Sequence, residues 1–375
     1  MFSIWEKNAF LYYDYIVIGS GIVGLTTAYY LKQKHPMKSV MILERGLIPS
    51  GASTKNAGFA CMGSASELMD DLRHSTTEEM VRLFLYRKNG LLRLQSILGH
   101  ERMGYQANGS YELLMESDLP VLDRLEELNQ ILFSELKTGA FSVVPNQALA
   151  CGFNPDVVKG MIQNHCEGEI DTGMMMKNLI LLVMSMGVEI KTGCEVMAME
   201  DQSKHVMVHC KNPLSSEAIL FKARKLIICN NAFAASLLPE IDVMPGRGQV
   251  LMTKPVEGLR FKGIYHFNQG YYYFREYKGC ILFGGGRNLD FQTEATIDFE
   301  LNESIQRDLE DKLQHIILPN HTVDIEHRWT GIMAFGKTKR PIIEQHSDNV
   351  WIGVRMGGMG VAIGSEVGWS LSEKV

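Results

Sequence analysis

The interpretation of this sequence starts from residues 15–31, YIVIGSGIVGLTTAYYL. The apolar, β-branched run 15–18 is typical of a strand that is covered on both faces, and the residues after the glycines are typical of a helix. In the turn between them, Gly19 permits the sharp change of direction, Gly21 lets the backbone approach a pyrophosphate, and Gly24 lets the helix lie close to the strand. This pattern predicts a strand–turn–helix unit that binds a dinucleotide.

A second apolar run supports that prediction. Residues 40–43 predict another strand, which ends at Glu44, about 20 residues beyond Gly24, where an acid meets ribose hydroxyls. The first turn of the predicted helix, at Ile22 and Val23, offers unpaired N–H groups and the positive end of the helix dipole to phosphate oxygens. Chance glycines in an ordinary strand–turn–helix explain the pattern less well, because they require neither the second strand nor the acid.

The segment 45–60, directly after the acid, is small, polar and rich in glycine. Its hydroxyl and amide side chains can bond phosphate or ring atoms, and its glycines let the backbone approach a flat ring. The alternative is a surface loop of turn-forming residues, but the position beside the phosphate site favours binding. The predicted cofactor contacts here are Ser53, Thr54, Asn56 and Gly58.

The composition narrows the class of protein. The 375 residues are enough for two domains, and 46% hydrophobic with 21% charged residues is typical of a soluble globular chain. A net charge of −6 argues against a general nucleic-acid binder, and no apolar run approaches the ~20 residues of a membrane span. We expect no signal peptide, because residues 1–13 lack a basic region followed by an apolar core.

The cysteines point to a reducing compartment. All seven are scattered, without a close CxxC pair, which argues against a disulfide framework and against a zinc site. We therefore expect a cytoplasmic protein without a metal. The apolar residues before the first predicted strand leave open a contact between the subunits of a homo-oligomer.

These motifs resemble those of a known family. The glycine pattern 19–24, the pair Glu44-Arg45 and the segment 51–58 (GASTKNAG) are similar to the FAD-dependent D-amino-acid oxidase superfamily, above all to its glycine oxidase and sarcosine oxidase-like branch. The resemblance implies an α/β fold with a three-layer, Rossmann-like FAD-binding domain assembled from separated segments. It also implies an α+β substrate domain with a mixed or antiparallel sheet, and it adds Arg45 and Ala57 to the cofactor contacts.

The resemblance extends to the second half of the chain. There it implies an adenine contact at Val196, a second cofactor-side strand that opens at Asn230, and a closing strand–loop–helix after residue 350. Backbone N–H groups of that loop, with the positive end of the last helix, would face the flavin edge on which negative charge develops. The implied contacts are Val196, Asn230, Gly331, Gly357, Gly358, Met359, Gly360 and Val361.

The predicted domains are interleaved along the chain. The FAD-binding domain takes residues 1–85, 150–240 and 325–375, and the substrate domain takes 86–149 and 241–324. Covalent attachment of the flavin would need a cysteine or a histidine in a suitable place. Because neither Cys280 nor His327 matches the attachment pattern of the family, we expect non-covalent FAD.

The substrate site departs from the family pattern. Amino-acid-oxidising relatives hold the substrate carboxylate with arginine, but this chain has Met333 and Gly358 at the two positions concerned. Arg275 is the first candidate to replace them, although it also fits a surface strand charge, and Arg355 is the second. Strand alternation puts Arg275 on one sheet face with Tyr271 and Tyr273. Ordinary sheet packing explains these tyrosines better than substrate contact does.

The resemblance implies oxidation of the C–N bond of an amino acid or a secondary amine. Hydride would pass to flavin N5, water would hydrolyse the imine, and oxygen or another electron acceptor would reoxidise the flavin. One alternative is a 2-hydroxy-acid dehydrogenase on the same fold, with His266 or His327 as the base. Another is a flavin-binding protein without turnover, which the missing arginines make worth testing.

Overall fold

The computed structural model describes residues 2–145, 147–213 and 217–375. Its helices are α1 (Ile4–Phe10), α2 (Ile22–Lys34), α3 (Ala65–His74), α4 (Thr77–Met103), α5 (Leu125–Leu136), α6 (Gln147–Cys151), α7 (Thr172–Ser185), α8 (Glu303–Lys312) and α9 (Gly360–Lys374). Its strands are β1 (Tyr12–Ile18), β2 (Val40–Leu43), β3 (Phe59–Ala60), β4 (Ser110–Leu114), β5 (Phe141–Val143), β6 (Gly160–Asn164), β7 (Gly168–Glu169), β8 (Glu189–Lys191), β9 (Val196–Asp201), β10 (Val206–Cys210), β11 (Ile219–Ile228), β12 (Met244–Thr253), β13 (Ile264–Phe267), β14 (Tyr272–Tyr277), β15 (Cys280–Gly285), β16 (Ile325–Phe335), β17 (Ile342–Ser347) and β18 (Val350–Val354).

The first sheet is built around β1, in the order β17-β18-β11-β1-β2-β8. Neighbours in this order are parallel except β17, which runs antiparallel to β18. Val17 and Ile42 pack under helices α2, α4, α7 and α9, whereas Ile16 and Met41 face the antiparallel strands β9 and β10. Because both faces are covered, these strands are apolar throughout, as the run 15–18 predicts.

Glycine lets the helices lie very close to their neighbours. A Cβ on Gly24 would lie 2.0 Å from the carbonyl oxygen of Gly19, so only glycine permits this contact between α2 and the turn before it. A Cβ on Gly368 of α9 would lie 2.2 Å from Oγ1 of Thr26 in α2. The first and last parts of the chain thus pack directly on each other.

The second sheet has the order β16-β12-β15-β14-β13-β4-β6-β5. It is mixed, because β4 and β13 are parallel and the other pairs are antiparallel. Tyr272 and Phe274 pack on the α8 side, whereas Tyr273 packs with Ala57 and Val250 on the opposite side, towards the first sheet. The predicted alternation of β14 is therefore observed.

The architecture confirms the predicted fold class: a Rossmann-like, three-layer unit assembled from separated segments, with a second, mixed sheet. The division into domains stays a prediction, and two strands depart from its boundaries. Strand β6 (160–164) and strand β16 (325–335) pair in the second sheet, although the prediction assigns both to the FAD-binding domain. They do so because β6 pairs with β4 and β5, and β16 pairs with β12 along its whole length.

Two features are absent from the described part of the chain, a membrane-spanning helix and a metal-binding cluster. Among residues 2–145, 147–213 and 217–375, none of the helices has the length and the apolar character that crossing a membrane requires. The same residues contain no group of three or more histidine, cysteine, aspartate or glutamate side chains arranged to hold a metal ion.

Candidate functional site

A cavity of about 610 Å³ lies between the carboxyl ends of the parallel strands and the inner face of the second sheet. At one end its wall is the turn around Gly21, and at the other it is formed by Tyr273 and Met333. The size is that of a cofactor or ligand site. Residues from both termini of the chain therefore enclose one space.

The turn before α2 meets the cavity with its backbone. Gly19 has a φ of +102°, and Gly21 precedes the helix without a side-chain cap. The amide of Ile22 donates a hydrogen bond to Oγ of Ser53, 3.0 Å away. Because Gly21, Ile22 and Val23 all line the cavity, the positive end of α2 is directed into it.

Glu44 lies at the same end and is buried. One carboxylate oxygen accepts bonds from the amide and the hydroxyl of Ser20, at 3.2 and 2.7 Å. The other accepts from the amide of Gly46 at 2.9 Å and from the hydroxyl of Ser50 at 3.0 Å. These bonds hold the loop that contains Gly46 and Ser50 in place. The carboxylate also lines the cavity, where it can contact a ligand.

The structure brings most of the predicted cofactor contacts to this one cavity. Those that line it are Gly19, Gly21, Ile22, Val23, Glu44, Arg45, Ser53, Asn56, Ala57, Val196, Asn230, Gly331, Gly357, Gly358, Met359, Gly360 and Val361. Three do not reach it. Gly24 packs on Gly19, the Thr54 hydroxyl donates to the carbonyl of Pro49, and Gly58 packs against Arg275.

The loop before α9 lines the same end of the cavity as Met333. Gly357 and Gly358 have φ of +58° and +82°, and α9 begins after Met359 without a side-chain cap. Two helix N-termini, those of α2 and α9, therefore reach the same cavity. Beside them, Oδ1 of Asn230 is buried and has no hydrogen-bond partner within the described residues.

Arg275, the first candidate for substrate recognition, does not line the cavity. Its Nη1 donates to the carbonyls of Ile170 and Gly58, at 2.8 and 3.2 Å, and its Nη2 lies 3.4 Å from Oε2 of Glu169. Burial lowers the pKa of this guanidinium. Protein groups thus occupy the donors of Arg275 outside the cavity lining, and its role in substrate recognition stays a prediction.

Arg355, the second candidate, is likewise bound by protein groups. Its guanidinium pairs with Asp242, donates to the carbonyl of Arg340 at 2.9 Å and bonds the hydroxyl of Thr338 at 3.1 Å. It holds the loop before α9 in place and lies outside the cavity lining.

The two predicted tyrosines do line the cavity. Tyr273 packs edge-on against Phe59, with ring centroids 5.6 Å apart, and burial raises the pKa of its hydroxyl to about 12. Tyr271 is more open, with 39% of its surface exposed. Tyr273 is therefore neutral at physiological pH.

The predictions missed Arg287, which lines the cavity next to Phe335. Its guanidinium lies 4.2 Å from the ring centroid of Phe335 and 5.0 Å from that of Phe291. Its buried Nε has no hydrogen-bond partner in the described part of the chain, and burial lowers the pKa of the group. The sequence signal was the glycine run 284–286 directly before it, which ends a strand without indicating where the arginine points.

His266 lines the cavity and is buried, whereas His327 lies exposed on β16. Burial lowers the pKa of the His266 imidazole to about 4, so the ring is neutral at physiological pH. Its Nε2 lies 3.8 Å from Oε2 of Glu167, a buried carboxyl whose pKa burial raises to about 7. Cys280 and His327, the two candidates for covalent attachment, both lie outside the cavity lining.

Comparison with known proteins places the chain among flavoenzymes. The family model for FAD-dependent oxidoreductases (DAO) matches residues 14–374. The beta subunit of sarcosine oxidase from an Arthrobacter species is 32% identical over 97 residues, which cover 24% of this chain and 24% of that one. The corresponding subunit from Rhodobacter capsulatus is 33% identical over 101 residues, 25% of this chain and 24% of that one. Each match thus spans about a quarter of the relative's length.

Solved structures share the fold over almost the whole chain. Glycine oxidase from Geobacillus kaustophilus superposes with a TM-score of 0.78 at 19% identity, covering 97% of this chain and 95% of that one. L-proline dehydrogenase from P. horikoshii gives 0.77 at 17% identity, with coverages of 97% and 93%. L-α-glycerophosphate oxidase from Mycoplasma pneumoniae, solved with FAD bound, gives 0.74 at 18% identity, with coverages of 96% and 94%.

The family match covers nearly every residue, and the glycine turn, the acid after β2 and the loop before α9 meet at one cavity. The chain therefore belongs to the DAO family of FAD-dependent oxidoreductases, and FAD is its cofactor.

Proposed function

We propose that this protein oxidises the C–N bond of an amino acid or of a secondary amine with bound FAD. The observation that carries the proposal is the single cavity, which runs from the glycine turn to a wall of second-sheet side chains. The names of its relatives, sarcosine oxidase subunit beta and glycine oxidase, support an amine that carries a carboxylate.

The residues present fit the cofactor. The N-terminus of α2, at Gly21 to Val23, would hold the diphosphate, and Glu44, Arg45 and Val196 would surround the adenosine. The loop 357–361 and Gly331 would lie against the ring. The unpartnered, buried Oδ1 of Asn230 is an acceptor that a bound donor would satisfy. Cys280 and His327, the two candidates for covalent attachment, lie outside the cavity lining, which supports non-covalent FAD as part of the proposal.

FAD, when bound, supplies the acceptor for the hydride that leaves the substrate carbon. The chain supplies orientation and electrostatics. Tyr273 and Met333 shape the wall and exclude water from it, and the N-terminus of α9 stabilises negative charge at the adjoining end of the cavity. No side chain has to remove a proton from carbon, so a substrate amine that enters neutral needs only to be positioned.

One observation supports a second candidate function. His266 is neutral above pH 4 and lines the cavity, so it can accept the hydroxyl proton of a 2-hydroxy acid. A protein that binds the flavin without turnover is the third candidate, since Met333 and Gly358 stand where relatives carry arginine.

The test is anaerobic reduction of the purified holoprotein. Amino acids, N-methylamino acids and 2-hydroxy acids are added separately, and the visible flavin absorbance is followed. We expect bleaching by an amine and not by the hydroxy acids; bleaching by hydroxy acids alone would contradict the proposal. Readmission of oxygen then separates an oxidase, which recovers its colour, from a dehydrogenase with another electron acceptor.

A further inference from the structure

We propose that His266 and Glu167 form a proton relay behind the wall of the cavity, and that this relay takes the proton from the ammonium group of the substrate. The inference deepens the proposed function and rests on it, because an amine gives up a hydride from its carbon only when its nitrogen is neutral. His266 is the member that contacts the substrate, and Glu167 is a positioning residue that acts through it.

His266 lies between the cavity and a buried carboxyl group. Its ring lines the cavity, although only 8% of the residue is exposed. Its Nε2 is buried, has no hydrogen-bond partner among the described residues and lies 3.8 Å from Oε2 of Glu167. Because Nε2 is on the side of Glu167, Nδ1 is the ring nitrogen that remains for a ligand in the cavity. An imidazole in this position can accept a proton on one nitrogen and release another from the second.

Glu167 has the surroundings of a proton acceptor. It is buried, and its Oε1 accepts bonds from the amides of Met62 and Gly63, while its Oε2 accepts from the hydroxyl of Ser110 at 2.6 Å. Burial favours the neutral acid and the three donors favour the carboxylate; on balance burial raises the pKa of Glu167 to about 7. Both forms are therefore populated near neutral pH, as an efficient acid–base group requires.

The imidazole passes the proton on because it is a poor place to keep it. Burial lowers the pKa of His266 to about 4, so a cationic ring is unfavourable. One ammonium N–H bond breaks as an N–H bond forms at Nδ1, and the Nε2–H bond breaks as an O–H bond forms at Oε2 of Glu167. The substrate nitrogen keeps the electron pair. An ammonium and a carboxylate thus become an amine and a carboxylic acid, and no charge is left buried.

The gap between the ring and the carboxylate can close. A nitrogen–oxygen hydrogen bond of about 2.9 Å requires a movement of about 1 Å from the observed 3.8 Å. A second, small cavity of about 10 Å³ is lined by His266 together with Ser110 and Glu112, so the ring has space beside it. Catalytic hydrogen bonds are often long without substrate and shorten when it binds.

Other titratable groups near His266 do not offer the same route. Those that the described residues place around it are Cys61 after β3, Glu67 of α3, Arg87 of α4, Glu112 of β4 and Tyr273 of β14. Lys339 pairs with Glu67 at 3.2 Å, the hydroxyls of Ser64 and Ser66 bond Glu112, and Arg87 donates to the carbonyl of Met62. Burial raises the pKa of the Cys61 thiol and of the Tyr273 hydroxyl, so neither is an anion at neutral pH.

The experiment follows bleaching of the holoprotein by sarcosine, glycine and L-proline after anaerobic rapid mixing, at pH values on both sides of 7. In wild type we expect the rate to fall as the pH drops through about 7, because Glu167 is then already protonated. Glu167→Gln keeps the shape of the side chain and cannot take up a proton. Above pH 7 it should be bleached on the order of 100-fold more slowly, and without this inflection.

Two variants and a pair of substrates separate proton removal from packing. His266→Asn should slow bleaching as Glu167→Gln does. Glu112→Gln removes a neighbouring buried carboxyl, and it should keep both the rate and the inflection of wild type. N-Trifluoroethylglycine loses its ammonium proton more readily than N-ethylglycine does. The ratio of the wild-type rate to the Glu167→Gln rate should therefore be smaller for the fluorinated substrate, whereas a packing defect would give equal ratios.

Infrared titration of the unreacted holoprotein adds a measurement without turnover. The difference between wild type and Glu167→Gln should contain the carbonyl band of a protonated carboxyl, which disappears with a midpoint near pH 7. His266→Asn should retain this band. If Glu167→Gln does not fold, His266→Asn decides the question, through slow bleaching with the band retained.

The outcomes separate this inference from the proposed function. Bleaching by an amine at the wild-type rate in Glu167→Gln and His266→Asn, or an inflection that persists in both, would overturn the relay and leave amine oxidation standing. A holoprotein that is bleached by no amine at any pH would contradict the proposed function, and the relay would fall with it.

Discussion

The two ends of the cavity are built by different means. The front end is a turn with three glycines within six residues, in which Gly24 of α2 packs directly on Gly19. The far wall is assembled from β12, β14, β15 and β16, whose residues lie far apart in sequence. Steric exclusion therefore governs the first region, whereas the second depends on which buried charges find partners. A different class of substitution should therefore disturb each end. Added steric bulk should disturb the front end, and the loss of a charge or of its partner should disturb the far wall.

The largest effect should come from a methyl group at the front end. Gly24→Ala puts a Cβ 2.0 Å from a backbone oxygen that cannot move freely, so we expect the free energy of unfolding to fall by about 4 kcal/mol or more. Urea unfolding and FAD content measure the change. Gly51→Ala is the matched control, since a Cβ there meets nothing within 4 Å; similar losses in both variants would argue against a steric role.

The second effect concerns two arginines of the second sheet region: Arg275, which lies beside Glu169 outside the cavity lining, and Arg287, which lines the cavity. Arg275→Met leaves Glu169 buried without its cation, and we expect a loss of about 3–5 kcal/mol in the free energy of unfolding. Arg287→Met removes a cation without a carboxylate partner and should cost less than about 1 kcal/mol. Replacing Glu169 as well, as in Arg275→Met/Glu169→Leu, should recover part of the loss. Equal stabilities of the two single variants would contradict the distinction between them.

The third effect appears in acid. The folded-state pKa of His266 is about 4, below its ordinary value of 6.5, so the unfolded chain takes up a proton first as the pH falls. The stability associated with this neutral ring is present above pH 6.5 and is lost between pH 6.5 and 4. Between pH 6.5 and 4, the free energy of unfolding of His266→Asn should therefore fall by about 3 kcal/mol less than that of wild type. Parallel pH profiles of unfolding would show that the ring titrates normally.

The smallest effect returns to the front end. Ser53→Ala removes the acceptor of the Ile22 amide, and we expect about 1 kcal/mol less stability and weaker FAD binding. Thr54→Ala is the control, because the Thr54 hydroxyl bonds the carbonyl of Pro49 and does not reach the cavity. Titration of the apoprotein with FAD measures the affinity of both variants. A larger loss of FAD affinity in Thr54→Ala than in Ser53→Ala would contradict the role given to Ser53.

The sequence was sufficient where an interaction is local. Gly19 permits the positive φ of the turn, and Gly24 packs on Gly19, five residues away. Glu44 follows the next strand directly. Alternation likewise predicts which tyrosines of β14 share a face. These inferences need only periodicity and backbone sterics.

The far wall could not be inferred in the same way. Whether an arginine on a strand meets a carbonyl, a carboxylate or an open cavity depends on segments distant in sequence. Arg275 meets Ile170 and Glu169, about 105 residues away, whereas Nε of Arg287 has no hydrogen-bond partner among the residues that the structure describes. The pairing of β16 with β12, which places residues 325–335 in the second sheet, likewise joins segments that are distant in sequence.

A structure of the protein crystallised with FAD tests the central claim most directly, namely that both ends of one cavity hold a single cofactor. The account predicts the diphosphate at Gly21 and Ile22 and the ring between the loop 357–361 and Tyr273. FAD bound outside this cavity, or with its ring directed away from the second sheet, would contradict it.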